Sequence, residues 1–211
     1  PVVPPYLKTK PSLITLDSHR QLFVDDFLVQ HTTLKRTYHP AQKHEDNPIL
    51  KPETDIENTG ARYKDSSGYS PPFACTFDDG VVFDPADNLF KMWYSAGSGT
   101  YTSLAYSDDG LHWSRPEFDI VPHTNVVMEH TAGSYRDSFS PWLDVSGCSE
   151  NERFKAFLYT TGHTSDLGPP LSPSIGSLKN QGWLLTSADG IHWIRRTRIR
   201  SHVGDNTLLF Y

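Results

Sequence analysis

The heptapeptide Ser-Asp-Asp-Gly-Leu-His-Trp at residues 107–113 returns as Ser-Ala-Asp-Gly-Ile-His-Trp at residues 187–193. Each copy follows a strand-like segment, and the closing Trp113 and Trp193 are 80 positions apart. Asp-Gly favours a tight turn, because Gly adopts a positive φ without steric cost. The repeat therefore predicts two β-hairpins at equivalent places in a repeating fold, each with a Trp anchoring its outgoing strand.

The composition also favours an all-β protein. The 211 residues include five Trp, ten Tyr and eleven Phe, and the aromatic and β-branched segments are separated by Gly, Pro, Asn and Asp. Such punctuation is typical of short strands. The net charge is −6 with Lys and Arg scattered along the chain, so we expect no nucleic-acid partner. No segment approaches the roughly 20 apolar residues of a membrane span, so we expect no membrane partner.

The order of the patterned segments predicts part of a β-propeller. Residues 1–20 are Pro-rich and predict an extended arm, whereas residues 21–211 predict a partial propeller domain. Residues 21–29 resemble a strand, and residues 31–72 form a long loop without periodicity. After this loop, strand-like segments alternate with turn signals. We expect blade one at about 73–118, blade two at about 134–198 and the first strand of blade three at 203–211.

Each round holds four predicted strands, the number in one propeller blade. They lie at 80–83, 89–94, 101–106 and 111–114 in the first round, and at 138–143, 153–159, 183–186 and 191–194 in the second. Two blades and a strand do not close a propeller, and an open edge promotes aggregation. We therefore expect this chain to be the N-terminal portion, with the remaining blades supplied by the same protein or by another chain.

Three acidic residues stand just before the first strand of successive blades: Asp79, Asp137 and Asp205. The first strand of a blade lines the central channel, so these positions converge. Carboxylates that face each other across a small cavity cleave glycosidic bonds, one as acid and one as base or nucleophile. The alternative is that each Asp is a turn residue that bonds to its own backbone. Arg136 beside Asp137 favours function, because its fork of donors suits sugar hydroxyls or a carboxylate.

Four further residues are candidates for substrate binding. Trp93 and Trp142 present ring faces on which a sugar stacks, although such residues more often belong to the core. Asp26, in the Asp25-Asp26 step between two apolar triplets, is the third, and a turn or β-bulge is the alternative there. Glu57 lies in the loop that would roof the channel, where a solvated side chain is the simpler interpretation.

Cofactors and location have weaker signals. Cys75 and Cys148 have no metal-site spacing and form either one disulfide or two buried thiols. We expect no cofactor; an axial calcium ion is the alternative, although no spacing among the ten His residues supports it. The chain begins at Pro1 without a signal-peptide pattern, which suggests a trimmed protein that is secreted or periplasmic.

Several motifs together resemble a family. They are Leu-Phe-Val-Asp-Asp-Phe-Leu at 22–28, Asn-Pro-Ile-Leu at 47–50, Phe-Lys-Met-Trp-Tyr at 90–94, Ser-Pro-Trp-Leu-Asp at 140–144, Glu-Arg-Phe-Lys-Ala at 152–156 and the paired hairpins. In this combination the chain is similar to secreted bacterial glycoside hydrolases with five-bladed propellers. These are distant relatives of the invertase, arabinanase and mannoside-phosphorylase propellers. The resemblance extends from about residue 21 to residue 211.

The resemblance implies a funnel with acidic residues from the first three blades. Asp79 matches the nucleophile or base, and Arg136-Asp137 matches the pair that orients the sugar or stabilises the transition state. Asp205 falls near the position of the acid, where the family has Glu, and Ser138 replaces an expected Pro. We therefore expect exo-acting hydrolysis of a glycosidic bond in an oligosaccharide or polysaccharide. The alternative is a non-catalytic propeller that binds carbohydrate or another partner.

Overall fold

The computed structural model of the chain describes residues 4–18, 20–59, 66–130, 134–162, 181–199 and 207–208. The chain divides into two units, residues 1–44 and residues 45–211. Strands account for 34 % of the chain and helices for 7 %, so the all-β prediction is confirmed. Within the described ranges, no helix combines the length and the apolar character needed to cross a bilayer.

In its described residues, the first unit contains one short helix, α1 (Pro5–Lys8), followed by bends and turns. The strand predicted at 21–29 is wrong. Asp25 Oδ1 accepts a hydrogen bond from the Phe27 N–H at 2.8 Å, which turns the chain at the Asp25-Asp26 step. Phe23 and Val24 consequently remain 69 % and 75 % exposed instead of lying in a sheet. The alternative interpretation of this step as a turn is the one that the structure supports.

The second unit begins with the one-turn helix α2 (Asp55–Asn58) and then forms a first antiparallel sheet. Its strands are β1 (Ala74–Cys75), β2 (Val81–Asp84), β3 (Leu89–Ala96), β4 (Tyr101–Ser107) and β5 (Val126–Glu129). Strands β1 and β2 both pair with β3, so they share one strand position that is interrupted between them. Strands β3, β4 and β5 then follow in order.

The fourth strand position of this sheet differs from the prediction. Residues 111–114 contribute only an isolated bridge between Ser114 and Tyr106. Farther along β4, its edge is paired instead by β5, which the sequence analysis did not predict. A loop at 115–125 separates the two pieces.

The second sheet contains β6 (Ser134–Leu143), β7 (Phe154–Gly162), β8 (Gln181–Ser187) and β9 (Ile194–Arg198). A single 3-10 turn, Glu150–Glu152, lies between β6 and β7. The strands are antiparallel neighbours in chain order, and neither this sheet nor the first closes into a barrel among the described strands. Both sheets therefore form up-and-down arrangements.

The repeated heptapeptides form nearly identical loops. In each loop one oxygen of the Asp carboxylate accepts from the backbone N–H groups two and three residues ahead, those of residues 111 and 112 or of 191 and 192, at 2.8 Å. The other oxygen lies 2.7 Å from the His ring nitrogen. Because these bonds hold five residues in bends, 108–112 or 188–192, the connection is wider than the predicted tight turn. The outgoing strand position begins after the Trp, at Ser114 and Ile194.

The main core lies between the two sheets and is centred on Trp93. The Trp93 ring is fully buried, meets Phe154 and Trp193 edge-on, and donates its indole N–H to the Gly190 carbonyl at 2.9 Å. Both sheets supply further buried apolar side chains to this cluster: Leu104, Val127, Phe139, Leu143, Phe154, Ala156, Leu158 and Leu185. The second heptapeptide loop is therefore part of the contact between the sheets.

The two cysteines are separate free thiols, so the disulfide alternative is wrong. Cys75 is exposed and Cys148 is partly exposed, in contrast to the buried thiols that were the other alternative.

The equivalent glycines of the two loops allow a matched test of the Trp93 contact. Gly110 and Gly190 have φ of +77° and +81°, so replacing either with Ala costs about 1–2 kcal/mol of backbone strain. A Cβ at position 190 would lie 2.7 Å from the Trp93 ring, whereas a Cβ at 110 meets nothing within 4 Å. Gly190→Ala should therefore lower the unfolding free energy by about 1–3 kcal/mol more than Gly110→Ala. Urea unfolding of both variants measures this difference, and equal losses would contradict the packing described for Trp93.

Candidate functional site

Asp79 lies where the first strand position of the first sheet is interrupted. Residues 76–80 leave the ladder between β1 and β2, and the Asp79 carboxylate accepts from the Phe77 N–H at 3.2 Å. This bond is of the kind expected for a turn Asp, so the alternative that Asp79 is a turn residue bonded to its own backbone applies in part. The same carboxylate, however, also reaches the second sheet.

Arg136 and Asp137 lie at an irregularity in β6. Arg136 pairs with Thr160 and Ser138 pairs with Tyr159, so Asp137 is an extra residue opposite the partner strand. Such β-bulges redirect side chains and are frequent beside active sites. The Arg136 N–H also donates to the Gly99 carbonyl at 3.0 Å, which attaches the start of β6 to the β3–β4 turn.

The Arg136 guanidinium binds the Asp79 carboxylate with both terminal nitrogens. The Nη1–Oδ1 distance is 2.8 Å and the Nη2–Oδ2 distance is 2.6 Å. The two side chains are 1 % and 0 % exposed, so the pair is removed from water. Burial raises the pKa of the Asp79 carboxyl above its ordinary value, and the charge and hydrogen bonds of Arg136 oppose that rise. The two sheets are thus joined by a bidentate, desolvated ion pair.

A small recess opens at this pair. Its volume is about 40 Å³, and its lining residues are Phe73, Phe77, Ser95, Ser98, Gly99, Arg136 and Asp137. A water molecule occupies about 30 Å³ of liquid, so the recess admits a water-sized group and not a whole sugar ring. A carbohydrate would have to lie across its mouth, where the partly exposed Phe73 and the exposed Phe77 offer apolar surface.

The structure therefore brings together three of the predicted residues: Asp79, Arg136 and Asp137. Asp137 is the predicted carboxylate that lines the recess, while the Asp79 side chain is fully buried against Arg136. The predicted role of Asp79 as base or nucleophile requires contact with a substrate, and its burial does not provide that contact. Asp205 lies outside the described residues.

The two tryptophans proposed to bind a sugar are not at this site. Trp93 is fully buried between the sheets, so neither ring face is available to a ligand. Trp142 is partly exposed near the other end of β6, five residues from Asp137. At about 3.3 Å per residue this separation is about 16 Å.

The remaining two candidates also differ from expectation. Asp26 belongs to the unit of residues 1–44, where its exposed carboxylate pairs with Arg36 at 2.5 Å. Glu57 was expected to be solvated and is instead fully buried. Its carboxylate accepts from Tyr94 Oη at 2.7 Å and from Arg115 Nε at 2.9 Å.

Glu57 has a structural role in the first sheet. Burial opposes its ionisation, but the N–H groups of Glu53 and Thr54, together with Tyr94 and Arg115, hold the pKa of the Glu57 carboxyl below its ordinary value. The ionised carboxylate thereby fixes the helix-α2 segment against β3. This contact explains the buried position of Glu57 without a ligand.

The sequence analysis did not single out Thr102 and His130, two residues that lie beside the Arg136 guanidinium. Thr102, on β4, has its Oγ1 3.5 Å from Arg136 Nη1 and 3.1 Å from His130 Nε2. The His130 side chain is buried directly after β5. Burial, reinforced by the charges of Arg136 and Arg195, lowers the pKa of His130 to about 3. A single Thr and a single His carry no sequence signal that would connect them to this site.

Comparison with known proteins gave no match: no protein-family model, no curated protein and no solved structure is significantly similar to this chain. In the described ranges, no group of three or more His, Cys, Asp or Glu side chains is arranged to hold a metal ion. The chemistry of the site therefore has to be argued from its own residues.

Replacing Arg136 should destabilise the protein, because the buried Asp79 carboxylate then loses its charge partner. Arg136→Met leaves Asp79 unpaired and should lower the unfolding free energy by about 3–5 kcal/mol at pH 7. The control is Arg196→Met, which removes a half-exposed ion pair with Glu152 and a hydrogen bond to Thr186 and should cost about 1–2 kcal/mol.

The same variants have a defined pH dependence. Because the Asp79 pKa is raised in the folded state, ionisation costs stability as the pH rises through that pKa, and Arg136 opposes the cost. The deficit of Arg136→Met should therefore shrink as the pH falls from 7 towards 4. Urea unfolding at both pH values measures it; a deficit as small as that of Arg196→Met, or one independent of pH, would contradict the geometry.

Proposed function

We propose that the two sheets are successive blades of a five-bladed β-propeller, with this chain supplying the first two and the start of a third. Three repeated features support the proposal. Both sheets run up and down with matching heptapeptide loops. Equivalent strands carry equivalent ion pairs, Lys91 with Asp84 at 2.8 Å and Lys155 with Asp144 at 2.7 Å. The sheets also pack face to face through Trp93, as adjacent blades do.

Within that fold, the function best supported is carbohydrate-active hydrolysis: exo-acting cleavage of a glycosidic bond in an oligosaccharide or polysaccharide. The observation that carries it is the meeting of Asp79, Arg136 and Asp137 at the first strand positions of both sheets. Those positions line the channel of a propeller, where substrates bind. The resemblance of the sequence motifs to five-bladed glycoside hydrolases points the same way and remains a prediction.

The geometry suggests a division of roles that differs from the sequence prediction. Asp137 lines the recess and is the carboxylate placed to meet a sugar hydroxyl or a developing positive charge. Asp79 is buried and holds both arms of the Arg136 fork, so its first role is to orient that guanidinium. Hydrolysis needs a second carboxyl about 5–10 Å from the first, and Asp205 remains the predicted candidate.

A non-catalytic carbohydrate-binding propeller is the second candidate. The burial of Asp79 favours it, because a carboxylate engaged by both nitrogens of an Arg does not act as a nucleophile in that arrangement. The recess of about 40 Å³ also suits a surface that holds one substituent of a glycan. The two candidates differ only in whether bond cleavage follows binding.

Asp137→Asn separates these functions. In the natural full-length protein, hydrolysis of aryl glycosides and plant oligosaccharides should fall by about 10²–10⁴-fold, because the amide neither accepts nor carries a proton at the reacting centre. The control is Asp108→Asn, which removes an equal charge at an exposed position in the first heptapeptide loop. Initial rates and glycan-binding isotherms should be measured for all three proteins.

The outcomes are distinct. Hydrolysis by Asp137→Asn at the parental rate rejects the catalytic role of Asp137, and absence of cleavage by the parent and both variants rejects the hydrolase. Binding of glycans by the parent and by Asp108→Asn without any cleavage supports the binding module instead.

A further inference from the structure

A file of buried polar groups lies behind the Arg136–Asp79 pair. His130 Nε2 is 3.1 Å from Thr102 Oγ1, which is 3.5 Å from Arg136 Nη1, and that nitrogen is 2.8 Å from Asp79 Oδ1. The four groups come from four separate segments of the first and second sheets. All four side chains lie out of water. The file therefore runs from the outer edge of the first sheet to the proposed channel.

The donors and acceptors of this file impose one direction. A guanidinium only donates, so Thr102 Oγ1 accepts from Arg136 Nη1. The hydroxyl proton of Thr102 then needs an acceptor, and among the described residues His130 Nε2 is the one in contact with it. A buried donor left unsatisfied would be costly. Nε2 is therefore the unprotonated nitrogen, and the ring proton is on Nδ1.

The electrostatic surroundings agree with that assignment. His130 is buried near Arg136 and Arg195, and its pKa is lowered to about 3, so the ring is uncharged at neutral pH. An uncharged ring accepts at Nε2. An imidazolium would donate at both nitrogens, so its Nε2 would not accept the hydrogen bond from the Thr102 hydroxyl.

The backbone holds both residues in place independently of the ring. The His130 N–H donates to the Thr100 carbonyl at 2.9 Å, and Thr102 pairs with Met128 in the β4–β5 ladder. The imidazole and the hydroxyl are thus attached to the same two strands. Their mutual distance is fixed by the first sheet, while Arg136 approaches from the second.

We propose that His130 and Thr102 are positioning residues: the His130 ring orients the Thr102 hydroxyl, and the hydroxyl oxygen sets the rotation of the Arg136 guanidinium. The guanidinium then binds both Asp79 oxygens at once, while Asp137 lines the recess. The link to carbohydrate rests on the proposed function, whereas the positioning itself does not.

The test compares Thr102→Val, which removes only the hydroxyl, with Thr102→Ser, which keeps it. Thr186→Val is the matched control, because the Thr186 hydroxyl also accepts from an arginine, Arg196 Nε at 2.7 Å, away from the recess. The first measurement uses ligand-free protein: ¹⁵N NMR of the His130 ring and of the Arg136 guanidinium, whose bond rotation slows when both arms are held.

We expect the parent to show an unprotonated His130 Nε2 and slow rotation of the Arg136 guanidinium. Thr102→Val should accelerate that rotation at least several-fold, whereas Thr102→Ser and Thr186→Val should retain it. A protonated Nε2, or equal Arg136 rotation in the Val and Ser variants, overturns the positioning role whatever the protein acts on.

The second measurement is kcat and KM for oligosaccharides, or Kd if nothing is cleaved. Thr102→Val should lose about ten-fold in kcat/KM or in affinity, the size expected for one hydrogen bond to a charged group, and Thr102→Ser should restore it. An unchanged value for Thr102→Val overturns the link between positioning and the site. If the parent neither binds nor cleaves glycans while the Arg136 signals respond as expected, the positioning role stands and the proposed function fails.

Discussion

The contact between Trp93 and Gly190 joins the first sheet of the second unit to the heptapeptide loop of the second sheet. The buried indole N–H needs an acceptor and finds the Gly190 carbonyl at 2.9 Å, while the absence of a side chain at 190 lets the ring lie against the backbone. One residue thus fixes both the separation of the two sheets and the position of the second loop. That separation determines how far a side chain on β6 must reach to meet the first sheet, and Arg136 spans it to Asp79.

Buried carboxylates occur at both ends of β2, Asp79 just before the strand and Asp84 as its last residue, and they have different partners. Asp84 accepts from Lys91 and Arg153, and these hydrogen bonds outweigh its burial and lower its pKa. Among the residues that the structure describes, Asp79 has one cationic partner, Arg136, and burial raises its pKa. A carboxyl whose pKa is perturbed by burial and by one specific charge partner is a candidate for a functional site, although structural ion-pair networks shift pKa values as well. This contrast, rather than the presence of Asp alone, distinguishes the candidate site.

The sequence predicted those features that depend on local pattern. The heptapeptide loops were found because their hydrogen bonds join residues two or three apart. The strand order followed from the same register, except at the fourth position of the first sheet, where β5 pairs with β4. The repeat also placed Asp79 and Asp137 at equivalent positions, but the ion pair between Arg136 and Asp79 became visible only in the structure. Features that depend on distant partners were not predictable: the burial of Glu57 requires Arg115, and the role of His130 requires Thr102. The apolar residues at 21–29 predicted a strand because the turn at Asp25 leaves no periodic signal.

The heptapeptide loop at 187–193 makes two kinds of contact, its internal hydrogen bonds and its contact with Trp93, and these differ in sequence separation. Its internal bonds span two or three residues, while the bond from Trp93 to Gly190 spans 97. Short-range contacts close in microseconds with little loss of chain entropy, whereas contacts of high sequence separation form late. Each loop can therefore be preformed before the sheets meet, and the late step reduces to docking an aromatic ring onto an existing backbone surface. The backbone surface that contacts the Trp93 ring therefore forms through short-range hydrogen bonds, before the ring packs on it.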